Sequence, residues 1–350
     1  MLSLWICSLI STLLCYLASS QHTIQTSVNT NSNQVNQKHR SPKSRHYDKI
    51  KFVTVNTNLN QPFCRKSLLT ALVYNVDVHV LGYNEDTNVL ARKHGLDPKM
   101  LLSDRGIGLK IPYFLDYLER FHKSLKVVVF FDGYDHFFQN TSAHMLEIYT
   151  RMGSPNALVG LEKNCYPIEM ECAKFPLNPY GHENHYINSG AWMGKSAVVY
   201  DMVKAFMSEL VNKTWDVKTS NDQALVGRAY TSYNHLFNIS LDHQAELFLP
   251  IHGFEGDLRF IRDATNTSSV WVNQRTSLIP AMIHFHGGNK FGEERRMVET
   301  AWFIDETTGR LKDSVWEKLR RHRIPMGLYG ATMTFPELCG EYIQDLIPTK

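Results

Sequence analysis

Two aspartates, Asp132 and Asp135, directly follow an apolar run and could bind a divalent cation. The run, residues 125–131, is almost entirely β-branched and aromatic, which is typical of a strand buried on both faces. Two anions beside such a strand are costly unless a cation offsets their charge, and carboxylate oxygens suit Mg²⁺ or Mn²⁺. A cation there could neutralise a diphosphate leaving group. Taken alone, the Asp-x-x-Asp pattern is more typical of a polar turn capped by one aspartate.

A second polar cluster lies far along the chain, in residues 280–290. His284 and His286 each offer an imidazole that could be a third ligand of Mn²⁺, although a histidine at a strand end is often structural. The two glycines that begin at Gly287 let backbone N–H groups approach phosphate oxygens, and Lys290 adds a positive charge. The cluster therefore predicts contacts with a phosphorylated ligand.

Two shorter polar segments lie between these clusters. Asn188 and Ser189 begin a glycine-containing turn and could hold sugar hydroxyls, while Asp222 could present a carboxylate to a sugar or an acceptor. The simpler interpretations are a glycine-rich turn for the first segment and a helix N-cap for the second.

The elements that must position these residues alternate between strand and helix patterns. Residues 51–57, 76–81 and 125–131 have strand patterns, whereas residues 68–74 and 111–121 have helical spacing. This order predicts an α/β fold with a mainly parallel central sheet flanked by helices. Asp132 and Asp135 would then lie at the carboxyl end of a central strand, where such sheets bind ligands. Residues 296–350 are more charged and predict a C-terminal helical extension.

The composition excludes two broad classes of protein. Of the 350 residues, 43% are hydrophobic, which is enough for a substantial core and excludes wholesale disorder. The 37 basic and 34 acidic side chains leave a formal net charge of +3, so nothing favours nucleic acid as a partner.

The N-terminal residues predict entry into the secretory pathway. Residues 2–18 are apolar and uncharged and lead into Ser19 and Ser20, small residues that suit signal-peptidase cleavage. We predict a signal peptide over residues 1–20, with a type II membrane anchor as the alternative, so a membrane contact is expected only without cleavage. Residues 21–49 are polar and basic and predict a disordered stem.

Sequons and cysteines agree with a location in the lumen of the endoplasmic reticulum or Golgi, or with secretion. Four Asn-x-Ser/Thr sequons begin at Asn140, Asn212, Asn238 and Asn266. The cysteines after the signal segment are Cys64, Cys165, Cys172 and Cys339. In an oxidising lumen three pairings are open to them; the close spacing of Cys165 and Cys172 favours that bridge, and four buried thiols are the alternative.

Taken in chain order, these segments resemble the glycosyltransferase domain of the procollagen lysyl hydroxylases, from about Lys51 to Lys290. The segment 132–135 is similar to the family's Asp-x-Tyr-Asp, and residues 188–194 are similar to its Asn-Ser-Gly-x-x-x-Gly. Residues 280–290 align without gaps on a Pro-x-x-Ile-His…Gly…Lys segment. The resemblance implies a GT-A-type nucleotide-diphospho-sugar transferase fold that uses a UDP-sugar and Mn²⁺.

Other segments extend the resemblance. Glu162 with Cys165-Tyr-Pro is similar to the family's Glu-x-x-Cys-Trp-Pro, with tyrosine in place of tryptophan, and residues 241–243 match its Leu-Asp-His strand. Residues 54–57 are similar to its nucleotide loop, and residues 106–110 to a glycine-rich turn followed by lysine. The chain departs from the family at its run of aspartates, of which only Asp222, after Asn221, is present here.

The resemblance also implies the roles of individual residues. Asp132, Asp135 and His284, rather than His286, would bind the metal, and Tyr134 would pack on the uracil. The nucleotide and phosphates would contact Thr54, Val55, Asn56, Lys110, Gly287 and Lys290. Asp222 and Asn188 would orient the sugar or acceptor, and Asp222 is the better candidate for acid–base catalysis.

The predicted function is a metal-dependent transfer of glucose or galactose from a UDP-sugar to a hydroxyl acceptor on a protein or glycan. The resemblance implies hydroxylysine of a collagen-like protein as that acceptor. The alternatives are a catalytically silent sugar-nucleotide or glycan-binding module of the same fold and a glycogenin-like transferase with another acceptor. The transferase domain is predicted over residues 50–295. A hydroxylase part like that of the family is not expected after it, since roughly 60 residues after Lys290 cannot form an oxygenase domain.

Overall fold

A computed structural model describes residues 50–97, 110–167, 169–212, 221–253, 255–262, 269–287 and 296–348. The predicted signal peptide or anchor, the predicted stem, the glycine-rich turn before Lys110, and Lys290 lie outside these ranges. Among the described helices, none is both apolar enough and long enough to cross a bilayer.

The strands and helices alternate along most of the chain. The strands are β1 (Ile50–Val55), β2 (Val78–Leu81), β3 (Val127–Phe131), β4 (His136–Phe138), β5 (Ala157–Glu162), β6 (Tyr186–Lys195), β7 (Ile239–Leu241), β8 (Phe248–Pro250), β9 (Leu258–Arg262), β10 (Ser269–Asn273), β11 (Met282–His284), β12 (Ile304–Asp305), β13 (Arg310–Leu311), β14 (Arg323–Met326) and β15 (Ala331–Thr334). The α-helices are α1 (Leu69–Val73), α2 (Thr87–Lys93), α3 (Lys110–Phe121), α4 (Ser142–Arg151), α5 (Ser196–Asn212), α6 (Asp222–Phe237), α7 (Asp313–Leu319) and α8 (Phe335–Cys339). A π-helical segment, Phe63–Leu68, leads into α1.

Eight strands form the central sheet in the order β15-β14-β2-β1-β3-β6-β5-β7. The pairs β14–β2, β2–β1, β1–β3 and β5–β7 are parallel, whereas β6 runs antiparallel to both neighbours and β15 runs antiparallel to β14. The predicted α/β fold with a mainly parallel sheet is therefore confirmed.

Strand β3 shows why helices cover both faces of this sheet. All five of its residues are buried, and successive side chains point to opposite faces. Val127, Val129 and Phe131 pack into one core layer with α1, α4 and α7. Val128 and Phe130 pack into the other layer with α2, α3, α5 and α6. A strand with two apolar faces needs cover on both sides, as its unbroken apolar run predicts.

A smaller sheet, ordered β4-β11-β8, joins the two polar clusters of the sequence. Strand β4 begins directly after Asp135 and pairs antiparallel with β11, with His136 opposite His284. On its other side β11 pairs in parallel with β8. This register brings the end of the second cluster's strand beside the Asp132–Asp135 turn.

The C-terminal residues differ from the predicted helical extension. Helices α7 and α8 are short, and β14 and β15 join the central sheet at its β2 edge. Ile324 and Met326 are buried there, so pairing with a distant strand outweighs the local charged composition. Two disulfides are present: Cys165–Cys172, as the spacing favoured, and Cys64–Cys339, which ties α8 to the π-helical segment.

Candidate active site

A cleft of about 770 Å³ opens at the carboxyl ends of the central strands. Strand β1 reaches it at Val55, β3 leads into it through Asp132, and β6 contributes the segment from Asn188 to Gly190. The predicted residues that line it are Val55, Lys110, Asp132, Tyr134, Asp135, Asn188, Asp222, His284 and Gly287. Most of the predicted site residues therefore share one cavity.

Two of the predicted nucleotide contacts, Thr54 and Asn56, do not line the cleft. Thr54 is fully buried beneath the aspartate turn, and a Cβ on Gly133 would lie 2.8 Å from its Oγ1. Asn56 is 1% exposed, and its backbone N–H donates to the carbonyl of Leu81 at 2.8 Å. Successive side chains along a strand point to opposite faces of the sheet. Val55 therefore points away from the side on which Thr54 and Asn56 are buried, and it reaches the cleft. Lys290 lies outside the described residues.

Asp132, Asp135 and His284 lie together at one end of the cleft. The Nε2 atom of His284 is 3.2 Å from Asp135 Oδ1 and 4.0 Å from Asp132 Oδ2. Two carboxylates and an imidazole nitrogen are a donor set suited to Mn²⁺ or Mg²⁺, so these residues fit a divalent cation. Gly190 makes room for the imidazole, because a Cβ there would lie 1.9 Å from His284 Cε1.

His136 is a residue at this end that the sequence did not single out. Its ligand atom lies within 4.8 Å of those of Asp135 and His284, and its ring stacks on His284 at 4.3 Å with an interplanar angle of 5°. A hydrogen bond of 2.8 Å joins His136 Nδ1 to the carbonyl of Asp132. Burial and the neighbouring His284 hold the pKa of His136 well below its usual value, which favours the neutral ring. Its position directly after Asp135 was the available signal.

Lys110 lies between two carboxylates on the other side of Asp132. Its Nζ is 2.6 Å from Asp132 Oδ1 and 2.9 Å from Asp222 Oδ2, which also accepts a hydrogen bond from Ser189. Burial alone would lower the pKa of Lys110, but the two carboxylates more than offset this effect and raise it. Burial raises the pKa of Asp132, an effect that the Lys110 ammonium opposes.

The segment around Asp222 contains a helix N-cap, as the simpler interpretation predicted, but the capping residue of α6 is Asn221. The Asn221 side chain accepts from the backbone N–H of Ala224 at 2.8 Å. Asp222 is the first residue of the helix and is thereby left to face the cleft and Lys110. The position predicted for acid–base catalysis is thus open to a ligand in the cleft.

Glu162 is the centre of a buried hydrogen-bond network in the wall of the cleft. Its Oε1 accepts from Asn188 Nδ2 at 2.9 Å and from Gln223 Nε2 at 2.7 Å, while Oε2 is 2.8 Å from His286 Nε2. Burial alone would raise the pKa of Glu162, but its partners, His286 first, more than offset this and lower it. Only its place in a motif signalled this residue in the sequence.

Two tyrosines lie on the walls of the cleft. Tyr134 donates its hydroxyl to the carbonyl of Asn58 at 3.1 Å, which fixes the ring in the loop after β1. Tyr166, in the loop closed by the Cys165–Cys172 disulfide, is 58% exposed. An aromatic face in a polar cleft is suited to stacking on a base or a sugar.

Comparison with known proteins relates this chain to a domain family and to a named protein. The family model described as PLOD GT domain matches residues 46–302. Procollagen-lysine,2-oxoglutarate 5-dioxygenase from Drosophila melanogaster is 25% identical over 246 residues, which are 69% of this chain and 31% of that protein. The chain thus spans about a third of the length of the relative.

The family match covers the strands that build the cleft and the proposed metal-binding end of the cleft, where Asp132, Asp135, His136 and His284 lie. The resemblance expected from the motifs is therefore confirmed, and the mixed sheet is of the GT-A type. The chain belongs to the PLOD GT domain family, the glycosyltransferase domains of the procollagen lysyl hydroxylases.

Proposed function

We propose that this chain is a divalent-metal-dependent glycosyltransferase that moves glucose or galactose from a UDP-sugar to a hydroxyl acceptor. The carrying observation is the convergence of Asp132, Asp135 and His284 in a cleft of about 770 Å³. A cavity of this volume is in the usual range for small-molecule and cofactor sites. Membership of a glycosyltransferase domain family supports the reaction class.

Asp132, Asp135 and His284 would hold Mn²⁺ or Mg²⁺ in this proposal. When bound, the cation would supply positive charge that stabilises the diphosphate as it leaves. Lys110 provides a second positive charge, 2.6 Å from Asp132, and would reach the phosphates from the start of α3. Gly287, at a φ of +87°, turns the backbone beside His284 and would let N–H groups approach phosphate oxygens.

The transfer forms one bond and breaks another. The oxygen of the acceptor hydroxyl bonds to the anomeric carbon, the bond from that carbon to the β-phosphate oxygen breaks, and UDP leaves with the electron pair. The proton of the hydroxyl needs a base, and we assign this role to Asp222. Ser189 and Lys110 both contact Asp222 Oδ2, which would fix the carboxylate in the wall of the cleft.

We propose hydroxylysine of a collagen-like protein as the acceptor, with or without galactose already attached. The support is the similarity to a protein named for procollagen lysine. We place the reaction in the lumen of the endoplasmic reticulum or Golgi, because two disulfides are typical of proteins from oxidising compartments.

The test is release of UDP from UDP-glucose and UDP-galactose, with and without Mn²⁺, in the presence of collagen peptides, free glycans or no acceptor. We expect Mn²⁺-dependent release with a hydroxylysine peptide. Asp135→Asn should lower the rate at least about 100-fold, because it removes one anionic ligand of the proposed cation. Asp201→Asn, an exposed change on α5, is the matched control and should leave the rate unchanged.

Each alternative has its own outcome in this assay. Binding of a UDP-sugar without turnover on any acceptor would support a silent binding module. Turnover on glycans or on the chain itself, but not on collagen peptides, would support a glycogenin-like transferase. Equal rates for Asp135→Asn and Asp201→Asn would contradict the proposed metal site.

A further inference from the structure

Asn188 lies between Glu162 and His284 and contacts both. Its amide nitrogen donates to Glu162 Oε1 at 2.9 Å, and its amide oxygen is 2.8 Å from His284 Nδ1. The same oxygen accepts from the backbone N–H of Gly190 at 3.0 Å. All three side chains are almost completely buried, with 2–3% of their surface exposed. A row of hydrogen bonds therefore runs from a carboxylate to the proposed metal ligand.

The direction of these hydrogen bonds follows from chemistry rather than from the choice of amide orientation. An ionised carboxylate only accepts, and a backbone N–H only donates. Glu162 must therefore face the nitrogen of Asn188, and Gly190 must face its oxygen. Because that oxygen also faces His284 Nδ1, the imidazole must carry a proton on Nδ1.

Glu162 is itself fixed in place on the far side. Gln223 donates to the same Oε1 at 2.7 Å, and His286 contacts Oε2 at 2.8 Å. These partners keep the carboxylate from turning away from Asn188. The Nε2 atom of His284 faces Asp135 and Asp132, 3.2 and 4.0 Å away, and in a ring protonated on Nδ1 alone its lone pair would be available to a cation held by these carboxylates.

We propose that Asn188 and Glu162 are positioning residues that hold His284 as the Nδ1–H tautomer, ready to bind a cation through Nε2. This rests on the proposed function for the identity of the cation. It gives Asn188 a different role from the sugar contact expected from its motif, because its oxygen and one N–H are used within the protein. Residues behind a metal-binding histidine commonly change metal affinity by about 10–100-fold when they are removed.

The first experiment needs no metal. The ring nitrogens of ¹⁵N-histidine-labelled, metal-free protein are recorded by NMR at alkaline pH, and His284 is assigned by its loss in His284→Gln. We expect a proton on Nδ1 of His284. A proton on Nε2 instead would overturn the proposal whether or not any variant folds.

The second experiment measures Mn²⁺ affinity by titration with detection of free Mn²⁺ by electron paramagnetic resonance. Asn188→Ala should weaken binding about 10–100-fold. The double variant Asn188→Asp/Glu162→Gln exchanges the amide and the carboxylate, so position 188 keeps an oxygen that can accept from His284 and position 162 supplies a donor to it; this pair should preserve the tautomer and recover much of the affinity. Asp201→Asn, an exposed change on α5 outside this network, is the control and should leave the affinity unchanged.

The outcomes separate this inference from the proposed function. Wild-type protein that fails to bind Mn²⁺ would remove the metal premise of the function, while the NMR result would still report on His284. Wild-type binding with unchanged affinity in Asn188→Ala, or an equal loss in Asp201→Asn, would overturn the positioning role and leave the function standing.

Discussion

A missing side chain, at Gly190, leaves the space for His284. An added Cβ would lie 1.9 Å from Cε1 of the imidazole, far inside van der Waals contact. The ring has little room to retreat, because Asn188 is bonded to one edge and His136 stacks on one face. The glycine is therefore required by a close approach of side chain to backbone, whatever its backbone angles.

Gly190→Ala should impair both metal binding and stability. We expect Mn²⁺ affinity to fall more than about 10-fold because His284 must move. The free energy of unfolding should fall by about 1–3 kcal/mol because the interior is overpacked. Titration with Mn²⁺ and urea denaturation measure the two effects. Gly227→Ala in α6 is the control: its Cβ would meet Phe175 at an ordinary 3.7 Å, so neither quantity should fall, and parallel losses in both variants would contradict the explanation.

The types of residue at the proposed metal-binding end of the cleft were predictable from the sequence, but the hydrogen bonds between these residues were not. Asp132 and Asp135 stand out because carboxylates rarely follow a buried strand without a reason. His136 and the role of Asn188 depend on which distant side chains lie beside them. Asn188 and His284 are 96 positions apart, so no local pattern shows their hydrogen bond.

At the scale of elements, the segment between β7 and β8 positions the small sheet that carries His284. Asp242 is 1% exposed and accepts from three backbone N–H groups, those of Glu246, Leu247 and Phe248, at 2.8–3.1 Å. These bonds define where β8 begins, and β8 pairs with β11. The motif containing Asp242 therefore has a structural role in the cleft's wall.

The stability contributed by Asp242 should depend on pH. Burial raises its pKa to about 6, although the three N–H groups oppose this. The Asp242 carboxyl therefore holds its proton more tightly in the folded state than in the unfolded state, and protonation of Asp242 stabilises the fold. This stabilisation is fully present below about pH 4 and is lost as the pH rises through about 6. Relative to Asp242→Asn, which cannot ionise, the wild-type free energy of unfolding should fall by about 2 kcal/mol between about pH 4 and pH 7.

Urea denaturation of both proteins across this range, with the disulfides intact, makes that measurement. Asp201→Asn, on the exposed side of α5, controls for the pH dependence of the rest of the chain. Parallel stability curves for wild type and Asp242→Asn would mean that Asp242 titrates at its ordinary value and would contradict the expectation.

Elements whose pattern reflects burial were predictable, whereas those defined by pairing were not. The unbroken apolar run of β3 announces a central strand because both of its faces are covered. Strands β14 and β15 have only four residues each and become strands through pairing with β2 and with each other. Pairing with a strand more than two hundred residues earlier leaves no trace in local composition.

At the scale of the whole molecule, the C-terminal residues complete the core of the transferase domain. The family match ends at residue 302, yet Phe303, Leu319, Ile324 and Phe335 beyond it are fully buried in the core layer that contains α1 and α4. This segment also supplies Cys339, whose partner Cys64 lies in the π-helical segment before α1. Residues 303–348 thus belong to the fold rather than to a separate extension.

The two disulfides should differ in their contribution to stability because they close loops of very different length. Cys64–Cys339 spans 275 positions and Cys165–Cys172 spans 7. The loss of chain entropy in the unfolded state predicts about 5 kcal/mol for the long loop and about 2 kcal/mol for the short one. The double variant Cys64→Ala/Cys339→Ala should therefore lose about 3 kcal/mol more free energy of unfolding than Cys165→Ala/Cys172→Ala, measured by urea denaturation. The short bridge lies beside the cleft, so we expect its loss to act mainly on UDP-sugar affinity. If the variant without the short bridge lost more stability than the variant without the long one, the C-terminal residues would not be held to the core as their burial indicates.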